Sequence, residues 1–471
     1  MIGWVKEWLE EQRKNGERGL EVKKVGNNFY VYRSTTYWDK ALKKIRKHST
    51  YLGKLDKDEG FKKSQRTDCI PQVNTIWQYG NAQLLTQVLD PLIPSLKEGF
   101  RGCWEDVFAL ALVRTMGYVP LKRVQTVWEK LFNVHDLNPD LSPKMLSRVL
   151  KSVGLNRKGQ NRVFNYLSVK GDEFVYDLSC FFTQSEGIHF AEQGYNTDHV
   201  QLKQVNLALL CSVDSGLPTM IRLIPGSVRD ITSLYGSLEE IGLQGKILIL
   251  DRGFYSLYVI DFLREKQVFF VLPTRRNNSL YTVRIHVNQH LFYHERLIKY
   301  GKRRHDGFFL YLFEDVQLRL EEEKHLYSML DEQRVDKDKL KVKMKRAGRI
   351  LIVSNLDVSP EEIFLLYKKR DGVENLFDVY KTMLQADRTY LRDNESIFGH
   401  AFISFLSLYA YSSIHQLIKK AGLESKLSPL DVLEQYSKVY QVDCGDTVRL
   451  SEVPKKVRLL DEKLGTNIFP N

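Results

Sequence analysis

Lys246-Ile247-Leu248-Ile249-Leu250-Asp251-Arg252-Gly253 decides the fold. A short, uninterrupted aliphatic run of this kind reads as a buried central strand. It ends in a carboxylate followed by Arg252-Gly253, and open α/β sheets present functional side chains at such strand ends. The plainer reading of Asp251 is an acid capping the turn that follows. Downstream, Leu257 to Lys266 reads as a helix and Val268 to Leu272 as a strand. Upstream lies a helix, Ile231 to Ile241, with Asp230 as its N-cap. Before it come three strand candidates: Glu173 to Leu178, Val205 to Val213 and Thr219 to Ile224. The last two are joined by a turn at Asp214-Ser215-Gly216. Hairpin strands first and strand–helix alternation afterwards indicate an α/β fold, a mixed sheet flanked by helices.

A second acid, Asp177, is embedded in the first of these strands between Tyr176 and Leu178. An unpaired carboxylate there is costly to desolvate, so it requires a cation, a hydrogen-bond partner or solvent. Asp172 and Glu173 are the rival acids, at the polar start of the strand. Asn277 to Arg349 interrupts the alternation. Its first part is β-like (Tyr281 to Val287, Arg296 to Tyr300, Phe308 to Phe313) and its second part is densely charged. The stretch reads as an insertion before the strand Ile350 to Val353 and the helices Pro360 to Arg370, Val373 to Leu384 and Ser396 to Lys420.

Tyr367, Arg370, Glu374 and Lys381 on those helices have the spacing Y-(2)-R-(3)-E-(6)-K. On a continuous helix they fall at roughly 0°, −60°, −20° and −40°, one narrow stripe. One carboxylate, two cations and a phenol are not a packing face. They suit a metal-bridged phosphate, with Glu374 on the ion and the cations on phosphate oxygens. The bland alternative is a solvated face carrying an Arg370–Glu374 pair at i,i+4.

With these residues the chain resembles the prokaryotic insertion-sequence transposases of the DDE type, in the group marked by that signature. Tyr176-Asp177-Leu178, Leu250-Asp251-Arg252-Gly253-Phe254, the segment from Gly194-Tyr195 to Leu202-Lys203-Gln204-Val205, and Gly399-His400-Ala401-Phe402-Ile403 also resemble family patterns. The likeness runs from about Asp172 to Ile418. It implies an RNase H-like catalytic core with Asp177, Asp251 and Glu374 as a metal-binding catalytic triad. Two hard ions about 4 Å apart suffice for phosphodiester chemistry. Mg²⁺ is the natural choice and Mn²⁺ a substitute. The resemblance further implies that Tyr367, Arg370 and Lys381, with Arg252, contact DNA. The implied activity is cleavage at transposon ends and strand transfer into target DNA, by a homodimer holding two ends of double-stranded DNA in a synaptic complex. A nuclease that cuts without joining, or a decayed DNA-binding copy, are the rival readings. Some relatives stack a flipped base on a Trp from the insertion. All six tryptophans here precede the core, leaving Phe292, Tyr293, Phe308 or Tyr311 as platforms.

The 471 residues suggest about three domains. A hydrophobic content of 43% with 27% charged residues rules out a mostly disordered chain. The net charge of +12 is compatible with a nucleic-acid partner. The expected division is a small basic β-containing segment (1–73), a helical candidate DNA-binding domain (74–170), core parts at 171–276 and 350–420, an insertion subdomain (277–349), and a helical tail (421–471) suited to dimerisation. Residues 40–66 carry ten Lys/Arg against three Asp/Glu, either a solvated surface or a DNA-contacting patch. Helices at Ala82–Leu89, Cys103–Met116, Leu121–Phe132 and Ser142–Val153, with Lys122, Arg123, Lys144, Arg148, Lys151, Arg157 and Lys158 exposed, fit a helix-turn-helix-like module or a generic bundle.

Met1 to Arg18 reads as an amphipathic helix, not a signal peptide. Ala401 to Ile414 is too short to span a bilayer. Cys69, Cys103, Cys180, Cys211 and Cys444 are scattered, which indicates a reducing compartment. The expected location is cytoplasmic and nucleoid-associated, with no membrane. Two patterns stay open. His286, His290 and His294 recur every four residues, either as zinc ligands or along a bent strand. Lys337, Lys339, Lys341, Lys343 and Lys345 alternate with other residues, making a DNA-facing row on a strand or a solvated surface on a helix.

Overall fold

A computed structural model describes residues 3–26, 28–39, 44–64, 73–194, 202–228, 230–332, 334, 336–387, 391–445 and 447–470. Cys69, Tyr195 and the side chain of Asp230 lie outside the described residues. The chain forms two compact units, Met1–Ile76 with Val442–Arg449, and Trp77–Gln441 with Leu450–Asn471.

The first unit holds the helix Gly3–Lys14 (α1) and an antiparallel sheet of Leu20–Val25 (β1), Asn28–Asp39 (β2), Lys44–Asp56 (β3) and Gly60–Lys63 (β4), in that order. The amphipathic pattern of the N-terminus is satisfied on this sheet. Val5 and Leu9 are buried with Val31 and Leu55, and Trp4 meets Phe29 edge-on at 5.2 Å.

After Thr75–Gln78 (β5), the second unit opens with Gly80–Leu89 (α2), Ile93–Gly99 (α3), Trp104–Thr115 (α4), Leu121–Trp128 (α5), Pro143–Leu155 (α6) and Arg157–Ser168 (α7). The last of these carries no helix in the sequence reading. The sheet follows: Glu173–Phe182 (β6), Glu192–Gln193 (β7), Lys203–Ser212 (β8), Pro218–Pro225 (β9), the helix Asp230–Glu240 (α8), Ile247–Leu250 (β10), Leu257–Glu265 (α9) and Phe269–Pro273 (β11). β9, β8 and β6 are successively antiparallel, and β10 and β11 run parallel to β6 in the order β9-β8-β6-β10-β11. Three antiparallel strands continued by two parallel ones form the expected RNase H-like core.

The insertion extends this sheet. Gln289–Tyr293 (β12), Arg296–His305 (β13), Phe308–Asp315 (β14) and Arg349–Ser354 (β15) join antiparallel beyond β11 into a ten-stranded sheet. The β-like pattern at Tyr281 to Val287 does not form a strand. Ser279–Thr282 is a 3₁₀ turn, and the Tyr281 hydroxyl accepts from the Leu351 amide at 3.0 Å, holding this segment over the sheet as a cover. Between β14 and β15 lie Val316–Asp331 (α10) and Lys337–Arg346 (α11).

Pro360–Lys368 (α12), Asp371–Asp378 (α13) and Asn394–Lys420 (α14) follow. α14 is 27 residues long and apolar enough to cross a membrane, yet 89% of its apolar window is buried inside the protein. It is the core helix of the unit. α6 crosses it at backbone contact: a Cβ on Gly154 would meet the Glu395 carbonyl oxygen at 1.8 Å, and one on Gly399 the Leu150 carbonyl oxygen at 1.9 Å. Beyond it in the chain come Pro429–Tyr436 (α15), Tyr440–Asp443 (β16), Val448–Leu450 (β17) and Lys455–Leu464 (α16), so the tail is not wholly helical.

Candidate active site

Strand register brings the first two acids together. Leu250 is paired with Tyr176 across the parallel β10–β6 contact, so Asp251 and Asp177 follow abreast on neighbouring strands. Adjacent strands lie about 4.8 Å apart. Side chains alternate between sheet faces. The Tyr176 hydroxyl reaches Ser237 at 3.0 Å beside α8, so Val175, Asp177 and Ser179 point to the other face. α13 covers that face, with Val373, Leu376 and Phe377 buried beneath it.

Asp251 does not cap its turn. It sits before the short helix Arg252–Phe254, but its side chain makes no capping hydrogen bond. Instead its Oδ1 pairs with Arg370 Nη1 at 3.0 Å, and Arg370 Nη2 donates to Glu374 Oε1 at 3.2 Å. One guanidinium, 18% exposed, therefore bridges the sheet end and the helix. The i,i+4 pair is present, as the solvated-face reading required, but it is tied to a strand-end acid and is not a free surface pair. Burial alone would lower the Arg370 pKa; Asp251, Tyr367, Asp177 and Glu374 outweigh it and raise it. Asp177 is pushed up to about 6, chiefly by burial. The Leu178 amide and Arg370 oppose that rise, and the charges of Asp251 and Glu374 add to it. The locus thus carries more negative charge than one guanidinium balances. Tyr367 belongs to it too: burial raises its pKa, and Arg370, Asp251, Asp371 and Arg252 all act on it. Arg252 is exposed beside it. The rival acids are tied elsewhere, Asp172 to Lys246 at 2.7 Å and Glu173 to Lys369 at 2.6 Å.

The single helical stripe is corrected by the structure. α12 ends at Lys368, and the amides of Arg370, Gly372 and Val373 bond three residues back, a tight turn ahead of α13. After Asp378 the chain enters a π turn, Val379–Met383. Lys381 therefore leaves the wheel position it would hold on a continuous helix. Its Nζ reaches Ser179 Oγ at 2.7 Å, two residues beyond Asp177 on the same face of β6. π turns occur often at functional sites. This one is closed from outside its own helix. The Ala386 amide donates to Tyr380 O at 2.9 Å, and Ala386 O lies 2.8 Å from His400 Nε2. Between them Gln385 holds φ +46°, which is strained for a non-glycine residue. His400 Nδ1 in turn receives the buried Arg114 Nη1 at 2.6 Å. Burial, with Arg114 adding to it, lowers the His400 pKa to about 3, so the imidazole is neutral. Sequence reading missed Ser179, Arg114 and the role of His400. The available signals were the period of two from Asp177 and a lone cation within the apolar run Val107–Met116.

Three hard oxygen donors short of positive charge suit a divalent cation by their chemistry. As the side chains stand, however, no three acidic, His or Cys groups among the described residues are close enough to cage an ion. Asp251 and Glu374 are each paired to Arg370, and Asp177 acts on the same guanidinium through its charge. Glu374 is 61% exposed, so its side chain is the least constrained of the three.

The other sequence candidates separate. Phe308 and Tyr311 are buried, and Tyr293 packs on Phe364 at 5.3 Å, whereas Phe292 is 71% exposed. His290 lies in β12, His286 before it, and His294 at the hairpin turn with φ +45°. The lysine run is helical. Lys339, Lys343 and Arg346 line a groove against α10 of about 780 Å³, while Lys337, Lys341 and Lys345 fall on the other side of the wheel. Arg157 is not an exposed cation: it pairs with Glu240.

Residues 170–410 match the family described as Transposase DDE domain, and the chain belongs to that family. Such transposases generally use divalent metal ions. Among solved structures it is similar to a piggyBac transposase synaptic complex with hairpin DNA, at 12% identity and a TM-score of 0.37, over 83% of this chain and 76% of that one. No curated protein matches it.

Proposed function

We propose that the chain is the transposase of a prokaryotic insertion sequence of the Y-(2)-R-(3)-E-(6)-K group. It cuts DNA at the element's ends and joins them to target DNA, acting as a homodimer in the cytoplasm. The observation that carries this is the Arg370 bridge, which unites Asp251 and Glu374 beside Asp177 from strands and a helix far apart in sequence. Asp177, Asp251 and Glu374 would hold Mg²⁺ or Mn²⁺. Ions held there would supply activation of the attacking water or 3′-hydroxyl and stabilisation of the leaving oxygen.

The chain's own residues do the rest. Arg370 keeps the acids together before metal and DNA arrive, then turns to phosphate oxygens as the acids take up other partners. Lys381, aimed across β6 by the π turn, and the exposed Arg252 contact the same backbone, and Tyr367 closes the site beside them. The helical segment 74–170 adds phosphate contacts through Lys144 and Arg148 on the open face of α6, both exposed. Phe292 is the aromatic best placed to stack an unpaired base, since a π-face must be accessible to do so.

The test is incubation of the full chain with the DNA flanking its own gene. Mg²⁺-dependent cuts at the element ends, followed by joining of a pre-cut end to plasmid, are expected. Cutting without joining would reduce the reading to a nuclease. Binding with no cutting would reduce it to a decayed DNA-binding protein.

A further inference from the structure

β2 and β3 outrun their neighbours. β1 pairs with β2 only over Asn28–Arg33, and β4 pairs with β3 only over Gly53–Asp56. A polar clasp marks where support ends: Ser34 Oγ meets Ser49 Oγ and Glu21 Oε2, each at 2.8 Å, and Lys47 Nζ meets Glu21 at 2.5 Å. Beyond Ser34 and Ser49, no third strand among the described residues pairs with β2 or β3, and five register pairs follow, Thr35↔His48, Thr36↔Lys47 (still tied to Glu21 through Lys47), Tyr37↔Arg46, Trp38↔Ile45 and Asp39↔Lys44. At about 3.3 Å per residue this two-stranded ribbon extends roughly 17 Å. Directly opposed residues share a face. One face therefore carries Thr35, Tyr37, Arg46, His48 and Lys44, and the other Thr36, Trp38, Ile45 and Lys47. The side chains are open to solvent, with Tyr37 50%, Trp38 58% and Ile45 70% exposed.

A ribbon of this kind has no packing purpose of its own, because two strands in water are marginal and gain nothing from exposed Trp and Ile. We propose that it enters the major groove of double-stranded DNA and reads sequence there. The groove is about 12 Å wide and 8.5 Å deep and admits a two-stranded β-ribbon. The Arg46 face offers a forked donor for guanine, a hydroxyl and imidazole for either base-pair polarity, and a phenol. Lys44 adds charge complementary to the phosphates on this face, while Lys47 on the reverse face is paired with Glu21. Trp38 and Ile45 on the reverse face supply apolar contact to a groove wall or a thymine methyl. The ribbon thus gives the chain a sequence reader separate from the acidic site. The assignment rests on the proposal that the chain acts on specific DNA ends.

The test compares the full wild-type chain with the triple variant Thr35→Ala/Arg46→Ala/His48→Ala, all exposed positions. The probes are a duplex from the DNA flanking its gene and a scrambled duplex of the same composition. Wild type is expected to prefer the flanking duplex and to protect guanine N7 from methylation. The triple variant should lose that preference by about 10- to 100-fold per contact removed while keeping its affinity for the scrambled duplex. The single variant Arg46→Lys, which keeps charge but not the fork, should lose preference at one position only. A triple variant that discriminates as well as wild type overturns the assignment. So does one whose only defect is loss of self-association in sedimentation, which would make a second copy the occupant. A wild-type chain that neither discriminates nor cuts overturns the transposase reading and takes the ribbon with it.

Discussion

The two halves of the acidic site are built on unlike supports. Asp177 and Asp251 stand abreast because the β6–β10 register puts them there, and hydrogen-bonded strands buried in a ten-stranded sheet do not slip. Glu374 and Lys381 hang from a helix broken at both ends, by the tight turn at Arg370 and the π turn at Val379–Met383. The strand half is rigid by construction. The helical half is held by side-chain contacts to other elements: Arg370 to Asp251, Lys381 to Ser179, and Ala386 O to His400. Charge sits fixed on one side of the cleft and adjustable on the other, which is what a site needs if its acids must exchange a guanidinium for metal and DNA.

The comparison breaks most visibly in catalysis. Asp251→Asn removes both a proposed ligand and the anchor of Arg370, and end cleavage should fall by about a thousandfold or more, equivalent to roughly 4 kcal/mol of barrier. Gel assays of end cleavage read this directly, with binding of the end duplex as the control. Next in size is the frame behind the helical half. Gly399→Val drives a side chain into the Leu150 carbonyl, and urea melts should show a loss of about 3 kcal/mol. An unchanged midpoint would mean that the α6–α14 crossing relaxes freely.

A smaller effect sharpens the electrostatic contrast. The Asp177 carboxyl is raised from 3.8 to about 6. Between those values the folded chain keeps a proton that the unfolded chain has released, so stability falls as pH climbs through that window and stays lowered above it. Asp177→Asn should therefore melt higher than wild type at pH 8, by about 2 kcal/mol, and the gap should close near pH 4. A variant less stable than wild type at pH 8 would contradict the charge balance described. The smallest effect concerns Lys381: Lys381→Gln should lower the slope of log affinity against log salt by about one, with little change in fold stability.

Much of the strand half was legible in the sequence, and for a physical reason. A short aliphatic run closed by an acid, and an acid inside an alternating strand, are local patterns whose meaning the sheet preserves. The helical half was legible in composition but not in geometry. The wheel of about 100° per residue assumed one continuous helix, and nothing between Tyr367 and Lys381 announces the π turn. That turn depends on the buried Tyr380, on Gln385 in the left-handed region and on His400 from the next helix, all set by tertiary packing. The insertion misled for a related reason. Tyr281 to Val287 alternates and Gln289 to Tyr293 does not, yet it is the latter that finds a partner strand. The two-stranded ribbon of β2 and β3 was hidden because which strands pair beside a given strand is a property of the sheet, not of its own residues.

The most direct measurement is Mn²⁺ binding to the full chain on a duplex of its flanking DNA, followed by electron paramagnetic resonance in wild type and in Asp177→Asn, Asp251→Asn and Glu374→Gln. Wild type should bind the ion, and each substitution should weaken binding at that site while leaving the duplex bound. Equal Mn²⁺ binding by all four chains would contradict the account.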